Sequence, residues 1–270
     1  MVMVSPRVTV LLPVHNGERF VGAAIESVLQ QSFADFEFLI VNDRSTDETE
    51  ERIKRFSDPR IAVVTNGANL GIQKSLNIGL RKARGEYIAR IDDDDVWVDA
   101  DKLKKQVDFL ERNSECALIG TGAIVIDEAG QELYRFLNPS SDRQIRRELL
   151  GRNCFIHSSV VFLKSEALKH GGYSESPGKR HVEDYDLWLA IGRSRKLANL
   201  REHSVKYLLR ASSVSGRHRI AQYKNNLRVV WRYGANYPNK TLSILRSFLR
   251  LLLYGYLNLS GLRAITAHFK

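Results

Sequence analysis

The sequence predicts a doubly wound α/β fold built on a mostly parallel sheet. Short β-branched runs alternate with helical stripes through the first hundred residues. The polar clusters fall directly after the strand runs, at the carboxyl edge where open α/β sheets bind ligands. A length of 270 residues with 43% hydrophobic content suits one large domain or two small ones around a substantial core.

The elements follow in order. "RVTVLLP" (Arg7 to Pro13) is a strand. "RFVGAAIESVLQQS" carries Val21, Ala24, Ile25, Val28 and Leu29 on one helical stripe. "FEFLIVND" is a second strand, ending at Asp43. "TDETEERIKRF" opens acidic and ends basic, as the helix dipole favours. "IAVVT" (Ile61 to Thr65) is a third strand, and "GIQKSLNIGLRKARG" is a helix with Gly85 as its stop. "EYIARI" is a fourth strand. Beyond residue 96 the pattern is less regular. "DADKLKKQVDFLERN" reads as a helix, "CALIGTGAIVID" and "QELYRF" as strands, and "CFIHSSVVFLKSEALKHGGY" as a strand and helix stopped by Gly171 and Gly172. "HVEDYDLWLAIGRS" is a helix whose Leu187, Trp188 and Ile191 fix it on the core.

Four polar loops should therefore emerge on one edge. They are Pro13-Val14-His15-Asn16-Gly17, Asn42-Asp43-Arg44-Ser45, Asn66, and Asp92-Asp93-Asp94-Asp95. Four adjacent aspartates repel one another, and as a solvated turn they need no further role. They follow a strand with no spacer, however, and Asp is a hard oxygen donor suited to Mg²⁺ or Mn²⁺. On an extended backbone Asp92 and Asp94 point the same way. A metal shared with a diphosphate would offset the repulsion. Asp43 is either a helix cap or a base-reading group. A carboxylate only accepts hydrogen bonds, so it favours uracil or thymine, which carry an N3–H, over cytosine. Glu183 and Asp184 either complement a helix dipole or are held at a cleft by the apolar face behind them.

Charge is unevenly placed. The net +10 arises after Glu202, where 12 Lys and Arg meet no Asp or Glu, whereas residues 1–202 sum to −2. Cys116 and Cys154 sit far apart without a CxxC pattern and read as reduced thiols of a cytosolic protein. "MVMVSPRVTVLLP" reads as the approach to a first strand, not a secretion signal.

Four segments, in order over roughly residues 7–215, resemble the family 2 glycosyltransferases of bacterial cell-surface polysaccharide assembly, whose fold is called GT-A. They are "VTVLLPVHNGERFVGAAIESVLQQSF", "FEFLIVNDRSTDET", "GEYIARIDDDDVW" and "HVEDYDLWLAI". The resemblance implies a GT-A catalytic domain over 1–210. About 1–95 would be its nucleotide-sugar half and 96–210 its acceptor half, followed by a basic helical extension over 211–270. It implies an inverting, metal-dependent transfer from a UDP-sugar, or a dTDP-sugar, to a hydroxyl of a glycan or lipid-linked glycan. Asp43 would contact the uracil, Asp92 and Asp94 would be the DxD pair with Asp94 the direct metal ligand, and Asp184 would be the base. Pro13, His15, Asn16, Asn66, Lys74 and Asp93 join the donor site on this reading. His157, Tyr173 and Glu183 join the acceptor side, although His157 reads equally as a satisfied core histidine and Lys74 as a surface lysine. Arg217 and His218 resemble a loop that closes over the diphosphate, with His218 near the metal. The sequence departs from the family pattern at His15 for Tyr, Asn42 for Asp, Arg44 for Gly, and Asp99 for Pro.

The tail "TLSILRSFLRLLLYGYLNLSGLRAI" carries a polar stripe at Ser243, Ser247, Arg250, Tyr254 and Asn258 among leucines. Its longest uncharged run, Leu251 to Leu262, is well short of the roughly 20 residues a membrane span needs. It reads as an amphipathic helix at the inner face of the cell membrane, its basic charge drawn to anionic lipid, or as a helix packed on the core or on a second copy of the chain. Three rival functions are weaker, and one of them, a catalytically dead scaffold, is opposed by the intact Asp92, Asp94 and Asp184. A sugar nucleotidyltransferase would show a glycine- and lysine-rich first loop, and "PVHNGERF" has no lysine. Nucleic-acid binding would use the basic charge, but that charge is interleaved with leucine.

Overall fold

The structure is a computed structural model that describes residues 5–210 and 219–259. One sheet runs through the molecule in the order β3-β2-β1-β4-β8-β6-β9-β5, with β7 paired to β6. Its first part is parallel. β1 (Val8–Val14) lies between β2 (Phe36–Asn42) and β4 (Tyr87–Arg90), and β3 (Ile61–Thr65) forms the edge. β1 and β2 are buried along their full length, which is why they read as unbroken apolar runs.

Past β4 the direction breaks. β8 (Val161–Leu163) is antiparallel to both β4 and β6 (Cys116–Ile126). β9 (Lys196–Leu208) runs parallel to β6, while β5 (Val96–Trp97) and β7 (Glu132–Phe136) pair antiparallel at the far side. The sheet is therefore mixed, four pairings of each kind among the described residues, and not the mostly parallel sheet expected. β9 gives no clean alternation in sequence because its pairing with β6 shifts register around Gly120 and Gly122.

Helices cover the sheet. α1 (Val21–Leu29), α2 (Thr49–Lys54) and α3 (Ile72–Lys82) follow β1, β2 and β3. α4 (Lys102–Arg112) precedes β6, and α5 (Asp142–Leu149) starts on a capping box of Ser141 and Gln144 that the sequence reading passed over. α6 (Lys164–Lys169) stops at Gly171 and Gly172, both with positive φ as expected. Gly85 has a different reason. A Cβ there would press on the backbone of Val8 and Thr9, so it serves close approach to β1 and not the end of α3.

α7 (Glu183–Ile191) is seated by Trp188, fully buried, with the rings of Phe155, His157, Phe162 and Tyr173 around it at centroid distances of 5.3–6.4 Å. The tail adds α8 (Arg219–Tyr233) and α9 (Lys240–Leu259). As far as Tyr254, the polar stripe of α9 is its inner face. Ser243 and Ser247 are buried, and Tyr254 stacks on Tyr223 at 4.6 Å. The leucine side faces out: Leu242, Leu245, Phe248, Leu249, Leu252 and Leu253 are exposed.

Candidate active site

The polar loops converge as expected. A cavity of about 1480 Å³ opens at the carboxyl ends of β1, β2 and β4, and Pro13, His15, Asp43, Lys74, Asp92, Asp93 and Asp94 all line it. So do Glu183 and Asp184 from the first turn of α7, His157 from the turn before β8, and Tyr134, Phe136 and Leu137 from β7 and just beyond it.

Asp43 follows β2 directly and is buried. Its Oδ1 accepts from Asn66 Nδ2 and the Leu70 N–H, each at 2.8 Å, and its Oδ2 from the Gly71 N–H at 2.8 Å. Burial raises its pKa, but these donors outweigh it and hold the carboxyl below the usual range. Arg44 then takes a left-handed φ of 57°, the conformation that favours glycine. His15 joins the cluster, its Nδ1 3.0 Å from the Asp43 carbonyl oxygen and its Nε2 2.9 Å from Asn69 Nδ2. Asn66 is buried behind Asp43, and the Asn16 N–H donates to Ser45 Oγ while its Oδ1 accepts the Thr46 N–H; neither asparagine lines the cavity.

Asp92 to Asp95 form a turn, not the extended stretch expected, with the Asp95 N–H on the Asp92 carbonyl oxygen at 3.3 Å. Each carboxylate has a separate environment. Asp92 is gripped by the fully buried Arg90 on Oδ1 and by Ser158 Oγ, 3.0 Å from Oδ2. Burial pushes it up, but the Arg90 charge prevails and keeps it ionised. Asp93 rests on Gly17, where a Cβ would collide with its carboxylate, and burial with the neighbouring aspartates raises it to about 7. Asp94 pairs with Arg210, whose guanidinium lies 4.9 Å from the centre of the Phe20 ring. Asp95 turns inward and accepts the Leu208 N–H at 3.0 Å, tying β9 to the turn. The repulsion between four neighbours is thus met by two arginines and by burial that favours the protonated forms.

Asp184 accepts a 2.9 Å hydrogen bond from Asn153 Nδ2, and burial raises it to about 6. Glu183 beside it is raised to about 7 by burial and then by the Asp184 charge. His157 is both things the sequence allowed. It lines the cavity and is satisfied, its Nε2 3.1 Å from both Arg90 Nε and Tyr173 Oη. Burial lowers it to about 3, so it is neutral. Tyr173 is buried behind His157 and does not reach the cavity, which corrects its place on the acceptor side. Arg217 and His218 lie outside the described residues.

Residues 9–172 match the model of glycosyl transferase family 2, well over half of the chain. This chain is a family 2 glycosyltransferase. Its relatives agree. It is 35% identical over 188 residues to the putative glycosyltransferase EpsE of Bacillus subtilis, covering 68% of this chain and 66% of EpsE. It is 31% identical over 210 residues to WfgD of Escherichia coli, a UDP-Glc:alpha-D-GlcNAc-diphosphoundecaprenol beta-1,3-glucosyltransferase, covering 77% and 79%. S. aureus TarS in complex with UDP-GlcNAc superposes with a TM-score of 0.72 at 16% identity, over 90% of this chain and 72% of that one. A Pyrobaculum calidifontis mannosyltransferase, PcManGT, solved with GDP-Man and Mn²⁺, superposes at 0.65 and 17% identity, over 99% and 82%. The fold of this glycosyltransferase is GT-A, with a mixed sheet.

The described residues of the glycosyltransferase hold no group of three metal-ligating side chains. The donor set still fits a divalent cation shared with substrate. Mg²⁺ and Mn²⁺ are hard, and Mg²⁺ is commonly held by one or two carboxylates completed by phosphate oxygens and waters. Asp94 would be the carboxylate to hold it, since Arg210 engages its Oδ2 alone, whereas Arg90 and Ser158 engage both oxygens of Asp92. Arg90, Asn153 and Arg210 are among the site residues that the sequence does not single out. Arg90 left a signal, a lone charge inside an apolar strand run. Asn153 and Arg210 left none, because only folding brings them to Asp184 and Asp94.

Proposed function

We propose that this glycosyltransferase transfers a sugar from a UDP-sugar, with dTDP-sugars as the second donor class, to a hydroxyl of a lipid-linked glycan, with inversion, in the assembly of a cell-surface polysaccharide. The observation that carries this reading is that Asp43, Asp94 and Asp184 open into one cavity.

As a carboxylate Asp43 only accepts hydrogen bonds; its Oδ1 takes Asn66 Nδ2 and the Leu70 N–H, its Oδ2 takes the Gly71 N–H, and Ser75 is a further donor. The capacity left at Oδ2 is suited to a uracil or thymine N3–H. Asp184 takes the proton of the acceptor hydroxyl during attack, and a carboxyl at about 6 is ionised yet still basic near neutrality. Its neighbours Asn153 and Tyr185 hold it: Asn153 bonds its Oδ2, and Tyr185 Oη donates to the Leu149 carbonyl oxygen at 2.7 Å, anchoring the first turn of α7. Asp94, with diphosphate oxygens, would hold Mn²⁺ or Mg²⁺, which when bound supplies Lewis-acid stabilisation of the leaving nucleoside diphosphate. Tyr134, Phe136 and Leu137 give the acceptor side a partly apolar wall suited to a sugar face.

The acceptor class draws on WfgD, whose name places UDP-Glc and a diphosphoundecaprenol-linked sugar in one reaction. The tail supports a site at the inner membrane face. No described helix is long and apolar enough to cross a membrane, but α9 presents a leucine face beside Arg246, and Trp231 of α8 is 68% exposed.

The test is release of nucleoside diphosphate, with Mn²⁺, from UDP-glucose, UDP-galactose, UDP-GlcNAc, their dTDP counterparts, GDP-mannose and CDP-glucose. A UDP- or dTDP-sugar should be turned over, and Asp184→Asn should cut turnover by roughly a hundredfold or more while UDP still binds. Preference for CDP- or GDP-sugars, or full turnover by D184N, defeats the reading.

A further inference from the structure

The base is held by a loop, and the loop is held by the tail. Asn153 Nδ2 donates to Asp184 Oδ2 at 2.9 Å, while Asn153 Oδ1 accepts the Phe155 N–H at 3.1 Å, so its amide has one orientation. Asn153 lies in the short connection after α5. Two residues earlier, the Gly151 carbonyl oxygen accepts a 2.9 Å hydrogen bond from Arg250 Nη1 of α9. Arg250 belongs to the inner polar face of α9, whose Ser243 and Ser247 are buried. Gly151, Ser247 and Arg250 border one small void with Tyr185, a residue of the first turn of α7. Tyr185 Oη meanwhile donates to the carbonyl oxygens of Leu149 and Leu150 at 2.7 and 2.8 Å. Loop 149–153 is therefore tied to Tyr185, next to the base, to the base itself through Asn153, and to the tail through Arg250, besides the bonds of Arg152 to Asn138 and Glu148.

We propose that Arg250 is a positioning residue for the base: through the Gly151 carbonyl it sets the loop whose Asn153 orients Asp184. The physical ground is geometric. A charge-assisted hydrogen bond to a main-chain carbonyl is about twice as strong as a neutral one. It acts on the backbone, so it constrains every side chain that the loop carries. The leucine face of α9 then has a second consequence, because whatever seats that helix also seats the loop under the base. The inference rests on Asp184 being the base, and the experiment keeps the two failures apart.

The reaction is release of UDP, with Mn²⁺, from the UDP-sugar turned over fastest in the panel above. Arg250→Met keeps the aliphatic stem and removes the donors. It should lower kcat about tenfold, with donor KM and the Kd for UDP within about twofold of wild type, because Asp43 and Asn66 are untouched. Arg250→Lys, which restores a cationic donor, should recover kcat to within about threefold. Asn153→Ala should lose as much as R250M, and the R250M/N153A pair should lose no more than N153A alone. Amide hydrogen exchange over 149–154 should quicken in R250M whatever the turnover. If R250M fails to bind UDP, Arg250→Gln, whose amide falls short of the carbonyl, takes its place. Unchanged kcat and exchange in R250M, or losses that add in full to those of N153A, overturn the inference. Full turnover by D184N overturns the reading of the base instead.

Discussion

At the scale of the residue, environment decides chemistry. Asp43, Asp92 and Asp184 are the same side chain in three settings. Backbone and amide donors hold Asp43 below its ordinary range, Arg90 holds Asp92 ionised, and burial lifts Asp184 to about 6. The last value carries a prediction. On the proposal that Asp184 is the base, it must be deprotonated to act, so kcat/KM should lie flat above about pH 6 and fall roughly tenfold per unit below it. The Asn153 hydrogen bond favours the charged form, so Asn153→Ala should move that acid limb to higher pH. A pH–rate profile for both proteins checks this; a flat line down to pH 5, or a limb that N153A leaves in place, contradicts it. At this scale the sequence was legible wherever a carboxylate ended an apolar run. It was silent on Asn153, a residue of ordinary polarity in a connection with no periodic pattern.

Elements show the same division. The parallel strands β1 to β4 could be read because each is a short, mostly apolar run, buried in β1, β2 and β4, and because a helix follows each of β1, β2 and β3. β9 could not, because its partners change along its length and its charged residues sit at register shifts. α4 holds a case that sequence conceals: Lys102, by periodicity an ordinary helix lysine, is fully buried. Its Nζ donates to Gln106 Oε1 at 2.8 Å and lies 3.9 Å from the centre of the Trp97 ring. Burial pushes the ammonium well below 10.5. The unfolded chain therefore binds this proton more readily than the folded one, and stability rises with pH until the unfolded lysine also deprotonates. Lys102→Met removes the cost of the buried amine, offset in part by the donor that Gln106 loses. Its Tm should exceed that of wild type by about 3 °C at pH 7, and the gain should shrink towards pH 10.5. Thermal melts of both proteins across that range decide it; a lower Tm for K102M at pH 7 contradicts the account.

On the scale of the whole molecule, charge and apolar surface are segregated into the tail. Residues 203–270 carry 12 Lys and Arg with no acid, and the described part of α9 turns its leucines outward and its serines inward. That inversion of the usual pattern is intelligible if the outer face meets lipid, since anionic headgroups would take the basic charge and the acyl boundary the leucines. Full-length protein should float with phosphatidylglycerol vesicles and less so with phosphatidylcholine, and raised salt should weaken the first. A chain ending at residue 239 should lose flotation while still binding UDP. Equal flotation by the shortened chain contradicts a lipid-facing α9.

The sequence by itself determined the alternating strands and helices of the first half, the edge on which the polar loops emerge, the four motifs of the family, and the amphipathic stripe of the tail. These are local properties, since hydrophobic period, turn residues and strand-end polarity are written within a few neighbouring positions. Only the tertiary structure decided that the sheet is mixed, that Arg90 and Arg210 neutralise the aspartates, and that Tyr173 lies behind His157. It likewise decided that the polar stripe of α9 faces inward and reaches the loop under Asp184. Several of those facts join residues about 100 positions apart, such as Arg250 and Gly151 or Arg210 and Asp94. Their pairing is set by which surfaces bury together, a property of the packed whole that no short stretch of chain contains.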